Sequence, residues 1–369
     1  MRRALAEAEK GRGWVEPNPS VGAVVVREAQ LVSVGHHERF GGPHAEVLAL
    51  ARAGEAARGA TLYVTLEPCC HFGKTPPCTD AILAAGVRRV VAALRDPFPQ
   101  VSGSGLAKLR EAGVEVEEGV DAEAATRLLA PYLKRQLTGL PYVTAKWAMT
   151  LDGKTATATG ESQWISSERS RAIVHELRGR MDAVLVGIGT ALADDPLLTA
   201  RPPGPRRAAR VVLDGKARLP TTSQLAQSAH ETPVWIAACD GADPGRLAAL
   251  QALGCTILGF PANARVPIVP LLEELGRRQV TNLFVEGGGQ ALGSFLDAGQ
   301  VDAVEVFIAP ILEGGSHPFG PARGLGSARM ADALRLDWHE TRSIDDDIHL
   351  RGTLPAAWKE HLASLTCDR

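Results

Sequence analysis

The stretch TLEPCCHFGKTPPC, residues 65–78, sets three cysteines and a histidine directly behind the strand-like run ATLYV. Thiolates and imidazole are the donors that zinc prefers. The candidates are Cys69, Cys70, His71 and Cys78. Side chains of adjacent residues diverge, so Cys69 and Cys70 do not reach one small ion together. Cys70 therefore reads as a packed thiol, and His71 as an exposed or substrate-side loop histidine. Cys69 and Cys78 remain, with eight residues between them. A structural zinc site, or two unrelated buried thiols, are the competing readings, but a structural site favours four donors in closely spaced pairs.

A third donor stands upstream in PHAE, residues 43–46. With His44 on a metal, Glu46 at the first turn of a helix sits beside a bound water and shuttles its protons without being a ligand. Cys78 follows Pro76-Pro77 at an expected helix start, where free N–H groups favour a thiolate. Cys69 leaves a strand behind Pro68. This H-x-E … P-C … C pattern is the signature of zinc deaminases, which ordinarily place two residues between the cysteines.

The 369 residues predict two domains. A net charge of −2 argues against a general nucleic-acid or membrane-surface binder. No 18-residue apolar run predicts a transmembrane helix, and MRRALAEAEK lacks the apolar stretch of a signal peptide, so a cytoplasmic location is expected. Six cysteines in so long a chain do not make a disulfide scaffold; Cys239, Cys255 and Cys367 stand alone and read as ordinary thiols.

The organisation is α/β in both halves. VGAVVV (21–26) and LVSVGHH (31–37) read as a hairpin, HAEVLALARAG (44–54) as a helix, and ATLYVTLEP (60–68) as a strand. CTDAILAAG, VRRVVAAL, GLAKLREAG and VEVEEGV continue the helix–strand alternation, which predicts parallel pairing with right-handed crossovers. A helix over 121–139 leads to a boundary near residue 140. Beyond it, AVLVGIGT (183–190), RVVLD (210–214), PVWIAA (233–238), NLFVEGG (282–288) and DAVEVFIAP (302–310) read as strands, with helices such as SSERSRAIVHELRGR and PIVPLLEELGRRQ between them. The tail beyond DDDIHLRGTLP reads as a peripheral helix. In VEGGGQALGSF (285–295) a strand, a glycine turn and a helix follow one another, a geometry that lets backbone approach a phosphate.

The motifs PNPSVGAVVV, GHHERFGGPHAEVLAL, YVTLEPCCHFGKTPPCTDAI and DPFPQVSGSGL closely resemble the bifunctional deaminase/reductase of bacterial riboflavin biosynthesis. The resemblance continues through KWAMTLDGKTATATGESQWISS, GIGTALADDPLLTAR and VEGGGQALGSF, and so covers nearly the whole chain. It implies a cytidine-deaminase-like three-layer α/β/α domain over 1–140, a dihydrofolate-reductase-like α/β domain over 141–356 and a peripheral tail over 357–369. The first domain would use Zn2+ to deaminate 2,5-diamino-6-(5-phosphoribosylamino)pyrimidin-4-one hydrolytically. The second would use NADPH to reduce the ribosyl group to ribityl. A homodimer through the reductase domain is also implied.

By the same resemblance, Asn18, His37, Lys74 and Asp96 would contact the deaminase substrate, with turn, surface and solvated-lysine readings open for Asn18, His37 and Lys74. Gly288, Gly289, Gln290, Ala291, Leu292, Gly293 and Ser294 would line NADPH, with Ala148, Trp164, Thr190, Asp194 and Gly215 as further contacts. Ser162, Arg178, Leu198, Arg201 and Glu286 would meet the reductase substrate. Arg178 and Arg201 suit a phosphate clamp because guanidinium matches phosphate bidentately; surface arginines are the alternative, as core packing is for Trp164. Lys146 and Asp152 would assist near the reacting carbon. Members of that family carry a few more residues before the segment matching MRRAL, so a truncated or misassigned start is expected, and a threonine is usual near Val15. A nucleoside or tRNA deaminase with an unrelated appended domain would show the two-residue cysteine spacing. A non-catalytic zinc protein would not need Glu46, and a chain with one inactive domain remains a further alternative.

Overall fold

A computed structural model describes residues 1–261, 265–316 and 319–366. They form two compact units, one of residues 1–139 with the segment from Ala357 onward, the other Leu140–Ala356. The expected α/β architecture is observed in both.

The first unit runs α1 (Arg2–Glu9), β1 (Gly22–Arg27), β2 (Gln30–His36), α2 (Ala45–Ala53), β3 (Thr61–Val64), α3 (Cys78–Ala84), β4 (Arg89–Ala92), α4 (Ser104–Glu111), β5 (Glu115–Glu118) and α5 (Ala122–Thr138). The sheet order is β2-β1-β3-β4-β5. β1 pairs antiparallel with β2 and β3, while β3, β4 and β5 are parallel. Glu28 and Ala29, at φ 52° and 63°, make the two-residue turn whose twist matches a hairpin. Two glycines place the helices. A Cβ on Gly22 would lie 2.0 Å from the Ala4 carbonyl oxygen, and one on Gly35 2.5 Å from that of Ala45. Gly22 pairs with His36 and Gly35 with Ala23, so the two glycines point to opposite faces of the sheet. Helix α1 therefore packs on one face and α2 on the other. With α5 beside α1 and α3 beside α2, three layers result.

β3 is shorter than expected. Pro68 has no N–H to continue a ladder, and after Val64 the chain leaves the strand, with the Glu67 amide still donating to the Leu94 carbonyl at 2.8 Å. That departure carries Cys69 out of the sheet at its carboxyl edge.

The second unit contains β6 (Tyr142–Thr150), α6 (Glu168–Arg178), β7 (Ala183–Gly187), α7 (Ile188–Asp194), β8 (Ala209–Leu213), α8 (Gln224–Gln227), β9 (Val234–Cys239), α9 (Pro244–Ala252), β10 (Thr256–Phe260), α10 (Ile268–Arg277), β11 (Asn282–Val285), α11 (Gly289–Asp297), β12 (Ala303–Ala309), β13 (Trp338–Ile344) and β14 (Asp347–Thr353). Its sheet order is β10-β9-β8-β7-β11-β6-β12-β14-β13. All strands from β6 to β12 are parallel, and the β13–β14 hairpin closes one edge antiparallel. Leu185 packs into one apolar cluster with Val143, Leu272 and Phe295; its neighbours Val184 and Val186 pack into another with Ile236, Phe284 and Phe307. A parallel sheet buried on both faces explains why these strands read as unbroken apolar runs. Strand β11 lies between β6 and β7, so the loops after β6, β7 and β11 gather at one carboxyl edge.

Residues 188–190 are helical, not strand as expected: Gly187 ends β7 and α7 begins at Ile188. The final helix, α12 (Ala357–Thr366), is no loose tail. Trp358 and Leu362 are buried, and it packs on α5 of the first unit. Cys367 lies outside the described residues.

Candidate active sites

In the first unit, His44 is the residue before α2, and Cys78 is the first residue of α3, behind Pro77. Their side chains meet: His44 Nδ1 lies 3.2 Å from Cys78 Sγ and 3.5 Å from Cys69 Sγ. All three donor atoms lie within 4.8 Å of one another, the one such His/Cys/Asp/Glu group among the described residues. Cys78 stands at the helix N-terminus as expected, and that N-terminus also reaches Cys69. The Cys78 amide donates to Cys69 Sγ at 3.4 Å, and the Thr79 amide to the Cys69 carbonyl at 3.1 Å. Hydrogen bonding from Cys78, followed by that from His44, holds the Cys69 thiol down to about 4. The Cys78 thiol is pushed up by its bond to Cys69 and by burial. His44 is raised, first by its bond to Cys69. Two cysteine sulfurs and an imidazole nitrogen, converging at these distances, are a donor set that fits zinc.

Glu46 is buried beside this triad, and burial pushes its carboxyl up to about 7 against the pull of His44. Cys70 points elsewhere, 3.9 Å from the Gln100 carbonyl, and His71 leans on Phe98 with ring centroids 5.7 Å apart. Neither joins the triad.

His37 is buried, not a surface residue of the hairpin. Its Nδ1 lies 3.0 Å from the Pro43 carbonyl oxygen and its Nε2 3.2 Å from Asn18 Nδ2, an arrangement that fits Nδ1–H donating and Nε2 accepting. Burial lowers its pKa, which suits the neutral ring. The ring stands edge-on to His44 at 5.3 Å, so the Asn18–His37 pair braces the loop that presents the metal ligand. Lys74 is exposed, with Nζ 3.8 Å above the Phe40 ring, so the inserted loop leans on the β2–α2 connection. Asp96 is buried; its Oδ1 accepts the Phe98 amide at 2.9 Å and the Tyr132 hydroxyl at 2.8 Å. Val15, at the position where threonine is usual, is a fully buried core residue.

In the second unit, Gly287 and Gly288 form the turn between β11 and α11. Gly288 has φ 74°, and a Cβ there would come 2.9 Å from Thr190 Oγ1 at the start of α7. Only glycine lets the turn lie so close. This narrow backbone cradle at a helix N-terminus fits a dinucleotide's phosphates. The seven residues from Gly288 to Ser294 do not all face a ligand, however. Helical periodicity buries Ala291 and Leu292 in the core, while Ser294 Oγ turns back to the Gln290 carbonyl at 2.9 Å.

The Arg178 guanidinium is engaged on one side by Glu286: Nη2 donates to Oε2 at 2.8 Å and Nε to Oε1. Burial raises Glu286, but Arg178 and Lys146 outweigh it and its pKa is lowered. Lys146 is lowered by burial, with Glu286 and Asp194 opposing. Asp194 is raised by burial and accepts from Ser162 Oγ at 3.4 Å. Arg201 is exposed. Leu198 is a buried core residue with φ 58°. Trp164 is not core; it is 67% exposed, with the Arg171 guanidinium 4.5 Å over its ring. Ala148 is half-buried on β6, and Gly215 follows β8, its carbonyl bonded to the Cys239 amide at 3.1 Å. Asp152 has a different task from the one expected. Its carboxylate accepts from Thr150 Oγ1 and from the Glu313 and Gly314 amides at 3.2 and 2.8 Å, which anchors the loop after β12.

Residues 1–94 match the family described as the cytidine and deoxycytidylate deaminase zinc-binding region, and residues 141–350 match the RibD C-terminal domain. The riboflavin biosynthesis protein RibD of Aquifex aeolicus is 42% identical over 349 residues, 94% of this chain and 96% of its own. The chain belongs to the bifunctional deaminase/reductase family of riboflavin biosynthesis. Two solved structures agree. Acinetobacter baumannii RibD (form 1) has TM-score 0.82 and 37% identity, covering 96% of this chain and 98% of that one. The diaminohydroxyphosphoribosylaminopyrimidine deaminase/5-amino-6-(5-phosphoribosylamino)uracil reductase of Thermotoga maritima has TM-score 0.82 and 35% identity, covering 96% and 97%. As in this deaminase/reductase family, hydrolase and oxidoreductase domains stand in one chain. No helix among the described residues is long and apolar enough to cross a membrane.

Two buried polar residues were missed by sequence reasoning. Glu67 accepts four backbone N–H groups, and Tyr132 holds Asp96 from α5. An acid immediately before Pro-Cys was the one visible signal for Glu67; nothing near Tyr132 marked it.

Proposed function

We propose that the first unit hydrolyses the ring amine of 2,5-diamino-6-(5-phosphoribosylamino)pyrimidin-4-one, and that the second reduces the ribosyl group of the resulting uracil to ribityl with NADPH. The observation that carries the first half is the convergence of His44, Cys69 and Cys78 with Glu46 buried alongside. Those three residues hold the zinc. When bound, the metal lowers the pKa of water so that a nucleophile forms near neutral pH. Glu46, buried beside the triad, takes a proton at a carboxylate oxygen and returns it to the departing amine. Water supplies the oxygen that the ring carbon gains, and ammonia leaves. Asn18 and His37 present the pocket's polar edge, and Lys74 on the inserted loop meets the substrate's phosphate.

In the second unit the turn at Gly288 and the N-terminus of α11 cradle the dinucleotide phosphates, with Thr190 and Asp194 beside them. NADPH, when bound, supplies the hydride. Lys146, lowered by burial within a cluster of Glu286, Arg178 and Asp194, holds a proton for the ribosyl oxygen. Glu286, oriented by both prongs of Arg178, fixes the substrate's hydroxyls.

The test is a coupled assay with purified zinc-loaded protein, the diaminopyrimidine and NADPH. Glu46→Ala is expected to retain zinc and lose deamination; undiminished turnover in that variant overturns the reading.

A further inference from the structure

Glu67 ends the segment that leaves β3, two residues before Cys69. Its side chain is buried, 4% exposed. Oε2 accepts the amides of Asp96 at 3.1 Å and Gly103 at 2.9 Å, and Oε1 those of Gly105 at 2.9 Å and Leu106 at 3.2 Å. A carboxylate has about four lone-pair sites, and all four are used on backbone from one loop and one helix start. Helix α4 needs this. Its N-cap is Gly103, at φ 89° and with no side chain, so its first amides have no local acceptor. Glu67 supplies the cap from 36 residues upstream. The fit is close, since a Cβ on Gly105 would lie 2.0 Å from the Pro68 carbonyl oxygen.

The clamp therefore joins the strand exit that carries Cys69 to the loop over residues 96–103. Asp96 begins that loop, and its own amide is one of the four donors. We infer that Glu67 is a positioning residue of the deaminase site, which sets the Asp96 loop at a fixed place relative to the metal-ligating cysteine. The inference rests on the deaminase reading of this unit. Tyr132 on α5 completes the arrangement, its hydroxyl donating to Asp96 Oδ1 at 2.8 Å. A glutamine at position 67 would turn an N–H face toward backbone N–H groups and lose part of the clamp.

The experiment compares wild type and Glu67→Gln as full chains, with reductase activity of each sample as an internal control of folding. Zinc content, deamination kinetics and amide hydrogen exchange are measured. The variant is expected to keep its zinc and its reductase activity and to raise the deamination KM about tenfold, with kcat changed less than about threefold. Exchange at Asp96, Gly103, Gly105 and Leu106 should rise about tenfold or more. Faster exchange with an unchanged KM would leave Glu67 a helix cap alone and overturn the inference, as would no change in either. If Glu67→Gln loses the reductase as well, Tyr132→Phe decides: a KM rise of about threefold supports the positioning role, and an unchanged KM overturns it. Failure of the wild-type protein to deaminate is read separately, and it overturns the deaminase reading together with the inference built on it.

Discussion

The Arg178 guanidinium closes on the Glu286 carboxylate with both prongs, across two elements, α6 and the end of β11. The side chains are 15% and 4% exposed. Removing one partner of a buried pair strands the other's charge, which costs about 3–5 kcal/mol. Arg178→Ala is expected to destabilise the reductase unit by about that amount, so that urea inactivates it at lower concentration, with deamination in the same sample unaffected. Equal loss of both activities would contradict the assignment.

The cysteines should separate cleanly in metal content. Cys69→Ser and Cys78→Ser are expected to lose bound zinc and deamination together, because each removes one of three donors. Cys70→Ser should keep a full equivalent of zinc, its thiol lying toward Gln100. Metal analysis of the three purified variants decides this.

Asp96 sets a pH dependence of stability. Burial pushes its carboxyl from 3.8 up to about 6. Folding thus favours the protonated form, and this contribution is complete below about pH 4 and lost as pH rises through about 6. Asp96→Asn stays neutral and can still accept the Tyr132 hydroxyl. Its stability relative to wild type should therefore rise by about 1.4 kcal/mol between about pH 5 and pH 8, seen in paired unfolding curves. A constant difference across that range would show that Asp96 does not titrate there.

Gly288→Ala places a Cβ against Thr190 at a φ that alanine adopts only with strain, about 1–2 kcal/mol. The expected result is roughly tenfold weaker NADPH binding by fluorescence titration, with zinc content and deamination unchanged. Unaltered affinity would mean that the turn does not approach the nucleotide.

The metal triad was largely legible in the chain. His44, Cys69 and Cys78 carry donor chemistry that few other roles require, and the elements around them follow from periodicity and proline placement. The hairpin, the parallel crossovers and the position of Glu46 on the first turn of α2 were readable for the same reason: each is a local pattern. The reductase contacts were less so. A contiguous assignment from Gly288 to Ser294 ignored helical periodicity, which buries Ala291 and Leu292, and Arg178 gave no sign that its partner would be Glu286, 108 residues away. Asp152 looked like an acid available for chemistry, yet backbone amides of a distant loop claim it.

Sequence by itself determined the α/β layering and the thiol and imidazole donors that converge, because periodicity and donor identity are written residue by residue. Tertiary structure alone decided that the α3 amide reaches Cys69 Sγ, since that contact depends on how the strand exit meets the helix start and not on either cysteine's neighbours in the chain. It also decided that Glu67, Tyr132 and Asp96 form one connected support. Burial and long-range hydrogen bonding create that support, and neither leaves a local mark in the order of residues.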